Sequence, residues 1–238
     1  MTLLKDLNIK LFSDGADINS MKELYKEGVV KGFTTNSTLM RKDNVTDYKA
    51  FAKDVLKEIR DLPVSFEVFS DEFDVMEAQA RKIAGWGSNV NVKIPVTNTK
   101  GELSTGLIRK LSAEGISLNV TAILTIEQVK AVAQAISPAS KTIVSVFAGR
   151  IADTGRDPLP YMKEAVGILK PNRNAELLWA SSRELLNIFQ ADSCGCHIIT
   201  VTNDILKKIS LVGRDLKELS LDTVKMFYND AMAAGFRL

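Results

Sequence analysis

One pattern limits the folds open to this chain: a short apolar run followed by a longer amphipathic run, repeated eight times along 238 residues. The short runs are rich in β-branched or aromatic residues and mostly flanked by Gly, Pro, Asn or Asp, which is typical of buried strands. They lie at residues 9–13, 32–35, 64–69, 90–95, 117–121, 142–147, 177–181 and 198–201. Strands alternating with helices in units of about 30 residues predict an α/β fold, a (β/α)₈ TIM barrel in a single domain over residues 1–238.

An open, doubly wound sheet is the main alternative to the barrel. Such sheets commonly bind dinucleotides through a G-x-G-x-x-G turn, and no such motif follows the first predicted strand. A further amphipathic helix is predicted at residues 215–238, beyond the eighth unit. Its apolar residues include Val224, Phe227, Met232 and Phe236, which either cover the chain's own barrel or contact a neighbouring subunit.

Composition excludes several classes of protein. The 31 basic and 29 acidic residues give a net charge of +2, so we expect no general attraction to nucleic acid or membrane. No apolar run approaches the ~20 residues that span a bilayer, and residues 1–6 lack the apolar core of a signal peptide, so we expect a cytoplasmic location. Two cysteines are too few for a disulfide scaffold. Cys194 and Cys196, followed by His197, have no second ligand pair, so we predict core packing and no metal site.

Alternation along the predicted strands separates polar from apolar side chains. At residues 90–94, Asn91 and Lys93 share one face, and in a barrel this polar face points inward. The same reasoning directs inward, or places at strand ends, the residues Asp14, Asn36, Ser65, Glu67, Asn119, Thr121, Ser145, Phe147 and Ser181. Any one of them is more simply a strand-end cap or a paired core group. Together they gather at the carboxyl ends of seven strands, where barrel enzymes build active sites.

Lys93 is the most informative of these residues, because lysine is almost never fully buried without a specific role. A low-dielectric site favours a neutral amine, which can attack a carbonyl and form a Schiff base. The iminium then withdraws electrons and lets the adjacent carbon–carbon bond break. The alternative is an edge-strand lysine in solvent.

Schiff-base chemistry also needs groups that move protons. Asp14 and Glu67 are the two inward carboxylates, and Thr121 is placed to hold a water between them. The alternative for Asp14 is an N-cap of the following helix.

Seven stretches in the same order resemble the transaldolase family, which are class I Schiff-base barrels. They are LFSDGADI at 11–18, GFTTN at 32–36, VSFEV at 64–68, VKIPVT at 92–97, LNVTA at 118–122, VSVFAGRIAD at 144–153 and ASSR at 180–183. The resemblance implies that Lys93 is the Schiff-base lysine, that Glu67 and Thr121 bind the catalytic water, and that Asp14 is the acid/base of carbon–carbon cleavage. It also implies that Asn36, Asn119 and Ser145 bind the three-carbon unit of the substrate, near Phe147. Finally, it implies a phosphate clamp of Arg150, Ser181 and Arg183.

The clamp has a physical basis of its own. Arginine presents a rigid fork of donors that matches phosphate oxygens. We also predict that Arg183 opens a helix, where free backbone N–H groups favour an anion. The alternative for each arginine is a solvated surface residue.

The chain departs from the family pattern at two places. Ser37 stands where proline usually follows the Thr-Thr-Asn run, and Val146 stands where a proline is common between the serine and the aromatic residue. Neither departure removes a reacting group.

The resemblance implies a transferase that moves a dihydroxyacetone unit between sugar phosphates, such as sedoheptulose 7-phosphate, fructose 6-phosphate, glyceraldehyde 3-phosphate and erythrose 4-phosphate. It needs no cofactor, and its small members form homo-oligomers. Related fructose-6-phosphate aldolases, which release free dihydroxyacetone, tend to carry Tyr at the position of Phe147 and Gln at that of Glu67. Phe147 cannot donate a proton, which favours transfer over release. Two further alternatives are a catalytically silent sugar-phosphate-binding barrel and a deoxyribose-phosphate aldolase. The first would lack a reacting group, and the second would want another lysine near Lys93.

Overall fold

The computed structural model describes residues 6–237. Residues 1–5, on which the expectation of no signal peptide partly rests, and Leu238, the last residue of the predicted C-terminal extension, lie outside the described residues. Within residues 6–237, no helix combines the length and the apolar character needed to cross a membrane.

Across the described residues, eight parallel strands close into a barrel in chain order. They are β1 (Lys10–Asp14), β2 (Phe33–Thr34), β3 (Val64–Glu67), β4 (Val90–Pro95), β5 (Leu118–Ile123), β6 (Thr142–Val146), β7 (Ala175–Trp179) and β8 (Ile198–Thr202). β8 pairs with β1, which completes the ring. The predicted (β/α)₈ TIM barrel is confirmed, and the open sheet is excluded because it would leave two unpaired edges.

Helices connect the strands and surround the barrel, and the final helix extends beyond the eighth unit. They are α1 (Ile18–Glu27), α2 (Ser37–Lys42), α3 (Tyr48–Glu58), α4 (Phe73–Ala84), α5 (Thr105–Ala113), α6 (Ile126–Ala135), α7 (Ala148–Ala152), α8 (Pro158–Leu169), α9 (Leu186–Ser193), α10 (Asn203–Leu206) and α11 (Leu216–Ala233). Local sequence fixes several of their starts. Asp17 caps α1, and Thr125 forms a capping box with Gln128 at α6.

The apolar core has two parts. The larger part lies between the outer face of the barrel and the helices, and it contains fully buried residues such as Val92, Val144 and Trp179. The smaller part lies inside the barrel, where Phe12 and Leu178 pack with Ile143, Ala180 and Ile198. This apolar layer fills the barrel beneath the polar side chains of the carboxyl ends.

The C-terminal helix begins at Leu216, where the Asp215 carboxylate caps it, and ends at Ala233. It therefore accounts for most of the predicted extension at residues 215–238. It contains no buried residue. Phe227 and Tyr228 are each 64% exposed, and Leu216 is 79% exposed. One of the two expectations for this helix was that it covers the chain's own barrel. The exposure of its apolar side chains excludes that expectation.

Candidate active site

Lys93 lies in the middle of the polar layer at the carboxyl end of the barrel. Its side chain is buried, with 6% exposure, and Nζ donates to the Thr35 carbonyl at 2.9 Å. Strand register places Glu67 of β3 and Asn119 of β5 directly beside it. The alternative of an edge-strand lysine in solvent is excluded, because β4 is paired on both sides and the side chain points into the barrel.

Glu67 ends β3 and is held through both its backbone and its side chain. The Tyr48 hydroxyl accepts from the Glu67 backbone N–H at 2.6 Å and donates to its carbonyl at 2.9 Å. The backbone N–H of Ser37 donates to Glu67 Oε2 at 3.3 Å. The carboxylate therefore faces the first turn of α2, where helix N–H groups favour a negative charge.

Asp14 ends β1 and belongs to a chain of hydroxyls. Thr34 donates to Asp14 Oδ1 at 2.7 Å, and the Thr34 and Thr200 hydroxyl oxygens lie 2.6 Å apart. Burial raises the pKa of the Asp14 carboxyl, while the positive charge of Lys93 and the Thr34 hydrogen bond lower it by less. The alternative role as a helix N-cap is excluded, because Asp17 caps α1.

A hydrogen-bonded row of buried side chains crosses the floor of the site. Ser145 donates to Asn119 Oδ1 at 2.7 Å, and Asn119 Nδ2 donates to Ser65 Oγ at 3.0 Å. All three residues are no more than 2% exposed. Because each partner fixes the next, the orientation of the Asn119 amide is determined before any ligand binds.

Thr121 is buried at the same end of the barrel, and among the described residues its hydroxyl has no hydrogen-bond partner. The β5–β6 register shifts between Val120 and Ile123, and Ala122 within this irregularity has a φ of 62°. Left-handed backbone is unfavourable for alanine, so the irregularity stores strain beside the site. An unpaired hydroxyl in a polar cleft is a binding position for water or for a substrate hydroxyl.

The prediction that Asn36 ends the second strand is wrong, because β2 stops at Thr34. It is the N-cap of α2, and its Oδ1 accepts from the Leu39 N–H at 2.9 Å. The same side chain borders the cleft. The capping role sets the direction in which the rest of the amide faces the site.

The prediction that Arg183 opens a helix is wrong, because α9 begins at Leu186. Arg183 lies in the preceding loop, where its backbone N–H donates to Asn187 Oδ1 at 2.8 Å. Its guanidinium binds both oxygens of Asp153, with Nε to Oδ1 at 2.9 Å. This contact holds the pKa of the Asp153 carboxyl below its usual value.

Ser181 approaches α7 so closely that only glycine fits at position 149. A Cβ atom there would lie 1.6 Å from the Ser181 carbonyl oxygen. Ser181 itself has a left-handed φ of 63°. Arg150, on the same short helix, lies with its guanidinium carbon 5.8 Å from the centre of the Phe147 ring. Ser181, Arg150 and Arg183 all line the cleft at the carboxyl end of the barrel and form one side of its mouth.

Together these side chains enclose a polar cleft of about 400 Å³ at the carboxyl end of the barrel. All eleven predicted site residues line it: Asp14, Asn36, Glu67, Lys93, Asn119, Thr121, Ser145, Phe147, Arg150, Ser181 and Arg183. Within residues 6–237, no group of three or more His, Cys, Asp or Glu side chains is arranged to hold a metal ion. Both cysteines are buried free thiols.

Sequence reasoning missed four groups that shape the site. Thr34 and Thr200 follow from strand alternation, since each lies in a predicted strand and points inward, so that signal was available. Tyr48 and Asp153 reach the site from a helix start and from the end of α7. Their contacts depend on the packing of separate elements, and no local pattern marks them.

Comparison with known proteins agrees with this geometry. Residues 11–238 match the family described as transaldolase/fructose-6-phosphate aldolase. A protein of Dehalococcoides mccartyi named "Probable transaldolase" is 35% identical over 202 residues, which cover 84% of this chain and 90% of that protein. Another of that name from Caldicellulosiruptor saccharolyticus is 36% identical over 204 residues, covering 85% and 89% of the two chains.

A solved structure from Burkholderia cenocepacia J2315, named a "putative lyase/mutase", shares the fold alone. It has a TM-score of 0.60 and 14% identity, and the match covers 97% of this chain and 85% of that one. The family rests on the sequence matches, which extend over nearly the whole barrel. The chain described here is a member of the transaldolase/fructose-6-phosphate aldolase family.

Proposed function

We propose that this protein is a transaldolase that moves a dihydroxyacetone unit from a ketose phosphate to an aldose phosphate through a Schiff base on Lys93. The observation that carries the proposal is the burial of the Lys93 amine inside the barrel, beside Glu67 and in electrostatic contact with Asp14. Lysine in such a position is best explained by covalent chemistry.

The first half of the reaction forms the Schiff base. Lys93 passes one proton to the Glu67 carboxylate and its amine attacks the C2 carbonyl of the ketose to form a carbinolamine. The same proton then leaves with the C2 oxygen as water, which gives an iminium. Glu67 and Thr121 bind the water that leaves and later returns. The Thr121 hydroxyl, which has no partner among residues 6–237, and the Glu67 carboxylate at the start of α2 support this role.

The second half breaks and remakes a carbon–carbon bond. Asp14 removes the proton from the C4 hydroxyl, the C3–C4 bond breaks, and its electrons pass to the iminium as an enamine while an aldehyde leaves. The enamine then attacks the carbonyl of the acceptor aldose, and Asp14 returns the proton to the new hydroxyl. A pKa raised by burial suits Asp14 to both directions of this transfer.

Transfer is favoured over release by Phe147. A group that protonates the enamine would end the reaction with free dihydroxyacetone. Phe147 borders the cleft and has no proton to donate, so the enamine persists until an acceptor arrives. Asn119 and Ser145 bind the hydroxyls of the three-carbon unit, and Arg150, Ser181 and Arg183 bind the phosphate.

Borohydride trapping tests the proposal. Incubation with fructose 6-phosphate and borohydride should convert the iminium to a stable secondary amine, which peptide mass analysis should locate on Lys93. Absence of that adduct contradicts the mechanism. A transfer assay with and without glyceraldehyde 3-phosphate or erythrose 4-phosphate then separates the two activities. Equal rates of ketose consumption with and without acceptor would indicate the aldolase instead.

We further propose that the protein is a homo-oligomer. The exposed apolar side chains of α11 support this, because a monomer rarely leaves so many large apolar groups in water. Light scattering should give a mass that is a multiple of 26.2 kDa. A single 26.2 kDa species at micromolar concentration would contradict the proposal.

A further inference from the structure

Two groups outside the proposed machinery act on Glu67 and Lys93 together. We infer that the Tyr48 hydroxyl and the Ser37 backbone N–H are positioning groups, which hold Glu67 in place and leave the Thr35 carbonyl to the Lys93 amine. The inference rests on the proposed function, because it assigns the reason why these contacts matter for turnover.

The first observation is an interrupted hydrogen-bond ladder between β2 and β3. The Phe33 N–H donates to the Pro63 carbonyl at 2.9 Å, and the Thr35 N–H donates to the Ser65 carbonyl at 3.3 Å. The next contact in a parallel ladder would join the Glu67 N–H to the Thr35 carbonyl. That contact is replaced, because the Glu67 N–H goes to the Tyr48 hydroxyl at 2.6 Å.

The Thr35 carbonyl is therefore available for another donor, and it accepts from Lys93 Nζ at 2.9 Å. The chain turns away from the sheet just after Thr35, since Asn36 caps α2. Tyr48 thus takes the place of a strand partner for Glu67, accepting its N–H and donating to its carbonyl. One hydroxyl satisfies both backbone groups of Glu67, and the N–H that it occupies would otherwise compete with the lysine for the Thr35 carbonyl.

Tyr48 is itself rigidly placed. It is the first residue of α3, and Asp47 caps that helix through the Ala50 N–H. Its ring lies edge-on to those of Phe66 and Trp86, with centroid separations of 6.2 and 5.5 Å. Burial raises the pKa of the Tyr48 hydroxyl well above its usual value, so the hydroxyl stays protonated and remains a donor.

Ser37 supplies the second contact. It is the first residue of α2, and its N–H donates to Glu67 Oε2 at 3.3 Å. The family pattern usually has proline here, and proline has no N–H to donate. Asn36 already has an extended backbone, with φ −155° and ψ 160°, which the residue before a proline requires. Ser37→Pro should therefore fold, since proline is favoured at the first position of a helix.

The Ser37 arm of the experiment compares Ser37→Pro with Ser37→Ala, since alanine keeps the N–H that proline lacks. We expect kcat of Ser37→Pro to be about fivefold below that of Ser37→Ala, the effect of one lost hydrogen bond. KM for fructose 6-phosphate should differ by less than about twofold, since a positioning group acts on the chemical step. Repeating the pair in a Glu67→Ala background should bring the ratio to about one, because the donor then has no carboxylate to hold.

The Tyr48 arm compares Tyr48→Phe with Tyr25→Phe. The Tyr25→Phe substitution also removes one hydroxyl contact, to Asp61, but Tyr25 lies away from the site. Tyr48→Phe keeps the ring and releases the Glu67 N–H to compete for the Thr35 carbonyl. We expect the rate of borohydride trapping at Lys93 in a single turnover to fall about tenfold relative to Tyr25→Phe.

The outcomes are separable. If the unsubstituted protein gives no Lys93 adduct, the proposed function fails. If the adduct forms but Tyr48→Phe traps as fast as Tyr25→Phe, or Ser37→Pro turns over as fast as Ser37→Ala, the positioning inference is overturned and the proposed function stands. A Ser37→Pro to Ser37→Ala ratio that stays near fivefold without the Glu67 carboxylate also overturns it, because the effect would then be structural.

Discussion

Strand-borne residues such as Lys93 and Asn119 are buried and hydrogen-bonded inside the barrel, whereas Asp153 and Arg183, which follow β6 and β7, are exposed and held by one ion pair. Lys93 and Asn119 are 6% and 0% exposed, and both have fixed protein partners. The side chains of Arg183 and Asp153 are 46% and 52% exposed. The difference teaches that one site combines a preorganised end, suited to bond chemistry, with an adaptable end, suited to anion capture.

The largest expected effect comes from removing the amine at the preorganised end. Lys93→Met should lower transfer by about 10⁴-fold or more, because no other group in the site can form the iminium. Methionine has a similar length and no charge to bury, so the fold should persist. A transfer assay and a thermal melt measure both effects, and appreciable turnover by the variant would mean that another group forms the intermediate.

Asp14→Asn should lower kcat by about 10²–10⁴-fold and raise stability at neutral pH. The folded protein raises the pKa of this carboxyl, so between its unfolded and folded pKa values the folded state binds more protons. Stability therefore falls as the pH rises through that window. The loss, which is the penalty for burying the ionised carboxylate, persists at higher pH. Asparagine removes the penalty.

Thermal melts at two pH values test the stability change. The Tm of Asp14→Asn should exceed that of the unsubstituted protein at neutral pH, and the difference should vanish below the ordinary carboxyl pKa of 3.8. A variant that is less stable at neutral pH would contradict this account of Asp14.

At the adaptable end, Arg183→Ala should raise KM for a phosphorylated ketose by about 10- to 100-fold, because a charge-assisted hydrogen bond is lost. Its Tm should hardly change, since exposed ion pairs contribute about 0–1 kcal/mol. Steady-state kinetics with fructose 6-phosphate and with its unphosphorylated analogue measure the effect. An equal loss for both substrates would show that Arg183 does not bind the phosphate.

Asp153→Asn has the smallest expected effect and the opposite sign. The Asp153 carboxylate pairs with the Arg183 guanidinium, so in the proposed phosphate clamp it would compete with the substrate phosphate for that group. Removing that charge should lower KM about two- to threefold, since an exposed pair is weak. A higher KM would mean that Asp153 orients Arg183 for the substrate, and the adaptable end of the site would then be preorganised as well.

Much of the fold and of the strand-borne site could be predicted from sequence, because a strand reverses face at every residue. Once Lys93 is assigned to the interior, Asn91 follows, and register then carries the assignment to Glu67 and Asn119 on neighbouring strands. Strand ends were displaced by one to a few residues, as at Asn36, which ends no strand and caps a helix.

The loop-borne residues Arg150, Ser181 and Arg183 line the cleft, but their conformations were not predicted. The start of α9 after Arg183, the left-handed Ser181 and the contact of Arg183 with Asp153 all depend on how two loops pack together. No periodicity governs such segments, because their backbone groups are satisfied by whichever partners the surrounding fold brings near.

The sequence by itself determined the barrel and the inward polar face, and it supplied the groups proposed to react, since these follow from periods of two and 3.6 residues and from side-chain chemistry. Only the tertiary structure decided that Tyr48 would replace a strand partner of Glu67 and that the Thr35 carbonyl would receive the Lys93 amine. Those contacts join residues 19 and 58 positions apart in the chain. Hydrogen bonds act over about 3 Å, so only folding, which brings distant residues that close, can select such partners.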